Sequence, residues 1–582
     1  MAMDMQGNTT PDEAALMAGA SAEHAWSLVE RFSTMRRQDP DEAAAAGEEI
    51  ARRLVALGLP VVVHRPRLYL AVPREAHVTV EGRRLPARPA QLAQTAPGGV
   101  TAPLVFVENP VGPPPGWTPA SAPLFGEGYD PAPGVPDLHG KIAIFRGMIL
   151  AEKILSFAAL GAVGVIAVNP GPDMHWGSGS AIWGTPDLDD LPGRTTIPGC
   201  AVSRPDGDAL IEAAARGAHA TLTTRVEEGW FDQVLPEVRI PGNEEPGRFV
   251  LLHGHYDSWD VGVGDNATGD ACLLEVARML HAGRDRLRRG VRICWWPGHS
   301  TGKFAGSTWY ADHFARDLAR GCVAHMNCDS PGCRDATDYP TIPWMAENRA
   351  FVTAVVRDAA GKEAGGKRPT QSSDYSFNNL GISGCFSASS RIPKAEVERR
   401  GWYFVMGNGG NTAWHTDRDQ AEVADPGVLL RDIQVYALAV FRMATLPAIP
   451  LDPGALVAEL LGHLGRYQQA AGQRFDLSPV RRALDGLAAR LSAFEGSGPP
   501  PGLATATRLA VLRHLVPLDY TRGTRFRRDF GLPAPPLTHL AVAAELDWYP
   551  PVALGFATTT LTRGVNHVLA ALELASEAVP PD

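Results

Sequence analysis

The chain is poor in the features that would assign it to several broad classes. Its seven cysteines are spread over 582 residues. An odd number at such low density does not form a disulfide framework, and none falls in a C-x-x-C pair that would hold a structural zinc. No long basic run interrupts a net charge of −10, which argues against a phosphate-binding surface and hence against a nucleic-acid partner. No apolar run is long enough to span a bilayer, so no membrane partner is expected. The first twenty residues lack a cationic segment followed by an apolar one, so a secretory leader is not expected. Together these absences favour a reduced, cytoplasmic setting.

What is present is a large, loop-rich globular chain. Hydrophobic residues make up 45% and charged residues 20%, with 60 Gly and 49 Pro. At roughly 100–200 residues per domain, the length allows about three or four domains. Residues 13–58 read as helices, and the VVVHRPRLYLAV and HVTVEG runs after them read as strands. Residues 108–136 are dense in Pro and Gly and mark a domain entry. A β-α-β module follows, from DLHGKIAIFRG through AEKILSFAALGA to VGVIAVNP. From 234 onward, apolar strands (FVLLHGH, VRICWW, CVAHMN) alternate with amphipathic helices. That alternation implies a doubly wound, mainly parallel α/β sheet, whose ligands bind at the carboxyl ends of the strands. Beyond about 449 the pattern becomes helical. Ser478 and Pro479 mark one helix start, and Val480, Leu484, Leu487, Leu491 and Phe494 form its apolar stripe.

The polar residues at the strand ends carry the chemistry. His255 follows a buried strand, Asp257 stands two residues on, and Asp265 sits in a Gly-flanked turn. Neutral imidazole and carboxylate donors in this arrangement suit a divalent metal, with Asp257 placed to orient His255. Asp329 and His415 stand at other strand ends and can complete the set. His253 is expected to be structural rather than a ligand.

Two resemblances follow from these residues. Gly140-Lys141-Ile142, Glu152-Lys153, Gly161-Ala162-Val163-Gly164-Val165 and Ile197-Pro198 with Ser203-Arg204 resemble the protease-associated domain inserted in several zinc peptidases. The run HYDSW…GDNATG resembles the metal-binding segment of the M28 peptidases, which include bacterial aminopeptidases, glutamate carboxypeptidase and the related transferrin receptor. The resemblance implies a zinc-exopeptidase-like catalytic domain from 1–105 and 229–448, a protease-associated domain at 106–228, and a helical, dimerisation-like domain at 449–582. It implies that His255 and Asp329 hold one zinc, that Asp265 bridges and that His415 holds the other. Asp374 and Phe377, in SSDYSFNNLGISG, resemble the substrate-side loop, and Lys303 is a further candidate to bind substrate. The implied partners are a peptide-like or small-molecule substrate and a second copy of the chain.

One departure stands out. The family carries Glu-Glu in a W-x-A-E-E-x-G-x-x-G-S setting, the first as general base and the second as metal ligand. Here Trp296 and Gly306-Ser307 anchor the comparison, and His299-Ser300 stands in place of the pair. His299 is therefore read either as the base, since its unperturbed pKa of about 6.5 suits neutral pH, or as a replacement ligand. Three functions remain open. The first is a metal-dependent amide or peptide hydrolase in which His299 or Asp257 handles the proton. The second is a non-peptidase metalloenzyme, a lyase or specialised small-molecule hydrolase, holding one ion of iron, nickel or manganese instead of zinc. The third is a non-catalytic scaffold.

Overall fold

The computed structural model describes residues 9–387 and 390–581. β1 (Val61–His64) is an edge strand of the main sheet. The chain then leaves that sheet to build a closed barrel, with β2 (Arg67–Val80), β3 (Arg83–Pro89), β4 (Ala96–Phe106), β5 (Ile142–Arg146), β6 (Gly164–Val168), β7 (Gly199–Val202) and β8 (His219–Asp232). It returns through β9 (Leu235–Ile240), β10 (Glu245–His255), β11 (Arg289–Trp296) and β12 (Cys322–Asn327). A small parallel pair, β13 (Tyr339–Pro343) and β14 (Ala364–Lys367), precedes the short β15 (Gly384–Cys385). The main sheet has the order β1-β9-β11-β10-β12-β15. β10, β11, β12 and β15 run parallel, while β9 is antiparallel to both β1 and β11.

The barrel starts at Arg67, well before the 106 expected for the inserted module. β2 pairs along its length with β8, from Arg67–Asp232 to Val80–Ala220. β2 and β4 therefore close the barrel and do not extend the metal-binding sheet. The local alternation of β2 shows a strand but not its partner, which lies some 150 residues away.

Residues 249–255 of β10 are buried on both faces, as expected for the middle strand of a parallel sheet. The helices Ala22–Phe32, Thr268–Ala282 and Pro426–Thr445 pack on one face, in a core with Val250, Leu252, Val291 and Ile293. The helix Ala305–His313 supplies Tyr310 and Ala311 to the other face, against Phe249, Leu251, Cys294 and Trp296. Arg37 ties the N-terminal helices to the site. It is fully buried and donates to the carbonyls of Phe32, Tyr256 and Gly262.

Four long helices, Pro453–Ala471, Ser478–Gly496, Pro501–Tyr520 and Pro551–Glu577, form the C-terminal region. The stripe from Val480 to Phe494 is buried in full. Among the described residues no helix is long and apolar enough to cross a membrane. All seven cysteines are free and buried.

Candidate metal centre

The site forms where β10, β11 and β12 end, and each of those ends contributes a side chain. His255 is the last residue of β10 and is fully buried. Its Nδ1 donates to the main-chain carbonyl of Asp257 at 2.8 Å. That bond leaves Nε2 as the lone-pair nitrogen, facing Asp265 Oδ1 at 3.1 Å and Asp329 Oδ2 at 3.8 Å. His415 repeats the device. Its Nδ1 donates to the Trp176 carbonyl at 3.0 Å, and its Nε2 lies 3.2 Å from Asp265 Oδ2. Asp265 therefore stands between the two imidazoles. Burial works against charge on His255, but contact with Asp265 and the charges of Asp265, Asp329 and Asp257 raise its pKa well above the ordinary imidazole value.

The turn carrying Asp265 is held from below. Asp419 accepts from the amides of Gly264 and Asp265 at 2.7 and 3.0 Å. Asn266 donates to the carbonyls of His255 and Cys328 and accepts from the Ser330 amide. That one amide side chain joins the ends of β10 and β12. Ser330 Oγ donates to Asp329 Oδ1 at 2.8 Å, leaving Oδ2 towards His255.

His299 enters from the turn after β11. Its ring stacks on His255, with centroids 3.7 Å apart and planes 13° from parallel. Its Nδ1 lies 2.6 Å from Asp374 Oδ2. The other Asp374 oxygen accepts from Ser307 Oγ at 2.6 Å. Burial would raise the Asp374 pKa, but the charge and hydrogen bond of His299 prevail and hold it below the usual carboxylate value. An ionised Asp374 fixes the proton on Nδ1, so His299 Nε2 is free to accept. His255, His299 and Asp329 thus each offer one ligand atom, all within 4.8 Å of one another. His255 Nε2 and Asp265 Oδ1 are buried without a hydrogen bond of good geometry. Orphaned acceptors of this kind, with imidazole and carboxylate donors, fit a divalent ion.

Residues 237–440 match the model of peptidase family M28, and residues 100–210 match the PA domain. The chain carries an M28 peptidase domain and a PA domain. "Probable glutamate carboxypeptidase VP8" of Zea mays is 28% identical over 237 residues, which are 39% of this chain and 32% of that protein. "Aminopeptidase YwaD" of Bacillus subtilis is 26% identical over 319 residues, 53% of this chain and 62% of that protein. The chain thus spans less than two thirds of either relative. An aminopeptidase from Aneurinibacillus sp. strain AM-1 superposes with a TM-score of 0.54 at 19% identity, covering 74% of this chain and 96% of that one. A zinc aminopeptidase from Bacillus subtilis does so at 0.53 and 21%, covering 73% and 96%. At these identities the likeness shows the fold.

Within the M28 domain, several residues sit differently from what the sequence implies. Asp257 does not orient His255 through its carboxylate, because its main-chain carbonyl does that. Its two side-chain oxygens accept from the amides of His299 and Ser300, each at 2.8 Å. Asp257 therefore clips the β11 turn, and both oxygens are already engaged, which is a poor arrangement for a base. Asp374 is fully buried, with one carboxylate oxygen on His299 and the other on Ser307. Phe377 is also fully buried, packed on His253 and His325. His253 shares a strand face with His255, two residues away. Its distance from the site comes from depth along β10, where it lies 3.1 Å from His325 Nδ1. Lys303 stays at the rim of the site. Its ammonium is 4.9 Å from the Phe304 ring, which packs edge-on against His299, and burial pushes its pKa down to about 8.

The PA barrel braces the same turn. The Thr301 carbonyl accepts from Ala71 N and Gln91 Nε2, and Gly184 N donates to the Lys303 carbonyl. Asp419, Asn266, Ser307 and the Trp176 carbonyl lie outside what the sequence reading found. Asp419 stands four residues after His415, in the same NTAWHTDRDQ run, and that spacing was its only signal.

Proposed function

We propose that the chain is a metal-dependent hydrolase of an amide or peptide-like bond, in which His299 serves as a metal ligand where the family resemblance implies a carboxylate. The observation that carries this reading is the convergence of His255, His299 and Asp329 within 4.8 Å, with His299 Nδ1 pinned by Asp374. A carboxylate behind a ligating histidine fixes its tautomer and raises its basicity. His255, His299 and Asp329 would hold one ion, and Asp265 with His415 would hold or share a second. Zinc is the first expectation for this donor set. When bound, such an ion polarises a scissile carbonyl and acidifies water.

The chain's own residues do the rest. Asp257 holds the His299 turn, Asp374 holds the His299 proton at Nδ1, and Asp419 holds the Asp265 turn. Lys303, at the rim and without an acidic partner among its described contacts, would meet an anionic group on the substrate. Pairing of two copies through the helical region belongs to the same reading, and exposed Val552 and Phe556 on its last helix support it.

The test is hydrolysis of aminoacyl and carboxyl-terminal peptide substrates before and after chelation. The reading expects activity lost to a chelator, restored by zinc and absent from His255→Ala. Metal bound at this site without cleavage of any such substrate would favour the lyase or specialised hydrolase instead.

A further inference from the structure

A second group of ligating side chains lies away from the M28 site, within the helical region. Glu459 and His463 sit four residues apart on the helix Pro453–Ala471, a spacing that brings both onto one face. Asp519 approaches from the end of the helix Pro501–Tyr520. One ligand atom from each of the three lies within 4.8 Å of the other two. Asp519 is fully buried, and the side chains of His463 and Glu459 are 11% and 22% exposed.

Asp519 has partners, the Leu537 amide on Oδ1 and Arg368 on Oδ2, but atoms of the other two side chains do not. Glu459 Oε1 and His463 Nε2 are buried 3.9 Å apart with no hydrogen bond to either. Two further groups next to them are in the same state. Glu347 is 1% exposed, and Ser383 satisfies one of its oxygens while Oε2 has no partner. Tyr520 is 2% exposed and its hydroxyl has no partner. The charges of Glu459 and Asp519 act on both groups. Arg368, whose Nε donates to Asp519 Oδ2 at 2.9 Å, is a cation bonded to Asp519. Among the described residues no cation bonds Glu459 Oε1 or Glu347 Oε2. Leaving several acceptors unpaired in a low-dielectric interior is costly, and a divalent cation removes that cost.

We propose that Glu459, His463 and Asp519 form a divalent transition-metal site, zinc by donor type, which staples the helices Pro453–Ala471 and Pro501–Tyr520 to one another beside Glu347. Two carboxylates and one imidazole suit zinc, with a fourth position open to Glu347 or water. One contact sets a condition. Arg466 donates to His463 Nδ1, so without metal the neutral ring carries its proton on Nε2. Binding moves that proton to Nδ1 and displaces Arg466, which lies exposed one turn along the helix.

The proposal shares no residue with the M28 site, so the two can fail separately. The full chain carrying His255→Ala and His299→Ala, stripped of metal, is titrated with zinc ions alone by calorimetry and by thermal melting. One equivalent of zinc is expected to bind and to raise Tm by several degrees at about a hundredfold excess over Kd. Adding Glu459→Gln and His463→Ala abolishes both effects. Arg466→Ala, a change at an exposed position that leaves folding intact, is expected to tighten binding several-fold. Failure of zinc to bind, or binding unchanged by the Glu459 and His463 substitutions, would overturn the proposal and leave the cluster to waters and a protonated Glu347. Weakened binding in Arg466→Ala would overturn the proton shift.

Discussion

His255 and His299 stack face to face, their ring centroids 3.7 Å apart, although one ends β10 and the other follows β11. Two imidazoles at this distance cannot both carry charge without repulsion. Each has Nδ1 committed to an acceptor, the Asp257 carbonyl for His255 and the Asp374 carboxylate for His299. This leaves Nε2 of each ring as the nitrogen available to a metal.

Asp374→Asn tests that arrangement from behind. Asparagine can present its amide nitrogen to Nδ1 and turn the His299 tautomer around. Zinc affinity is expected to fall about 10–100-fold, the usual effect of losing such a carboxylate, as read by competition with a chromogenic chelator. Unchanged affinity would mean that His299 does not touch the metal.

Asp257→Asn separates a clip from a base. The amide of asparagine can accept only one of the two bonds from His299 N and Ser300 N. Exchange of those two amides with deuterium is expected to speed up, while the exchange of β10 itself stays slow. If the two amides remain as protected as in the wild type, the clip is not what holds the turn.

Arg37→Met removes the three carbonyl contacts that bind the N-terminal helices to the loop before Asp265. The buried carbonyls of Phe32, Tyr256 and Gly262 lose their partner. A loss of roughly 3 kcal/mol or more is expected in denaturant unfolding. A change of only about 0.5 kcal/mol, typical of surface positions, would contradict this account.

Glu237 gives the fold a defined acid sensitivity. Burial opposes its ionisation, but hydrogen bonds from His64, Arg239 and Tyr310 prevail and hold its pKa at about 2. Because the folded value lies below the ordinary one, the stability it contributes is complete above about pH 4.5 and is lost as pH falls towards 2. Glu237→Gln should therefore cost about 3 kcal/mol at neutral pH. The gap to wild type should close in melts below pH 4. A gap independent of pH would remove the charge from the explanation.

The legible part of the site and the hidden part differ for a physical reason. His255, Asp265 and Asp329 stand at the ends of apolar strands or in a Gly-flanked turn, so periodicity alone marks them. The same holds for the helical stripe from Val480 to Phe494. Asp374 sits in the irregular stretch between β14 and β15, where no pattern tells a buried orienting carboxylate from a substrate-facing one. Its role appears only once His299 is placed against it. Asp257 was legible as a residue but not in its role, because the choice between its carbonyl and its carboxylate is made by the turn geometry. The barrel's start at Arg67 was hidden because strand pairing between β2 and β8 is set by topology and not by local alternation.

The most direct test of the central claim is metal content per chain, on protein purified without added metal, for wild type and His299→Ala. If His299 is a ligand, the wild type holds metal at this site and His299→Ala loses one ion per chain, with Asp374→Asn in between. Equal metal content in wild type and His299→Ala, together with lost activity, would contradict the ligand role and make His299 a proton-transfer group beside a site built from His255, Asp265, Asp329 and His415 alone.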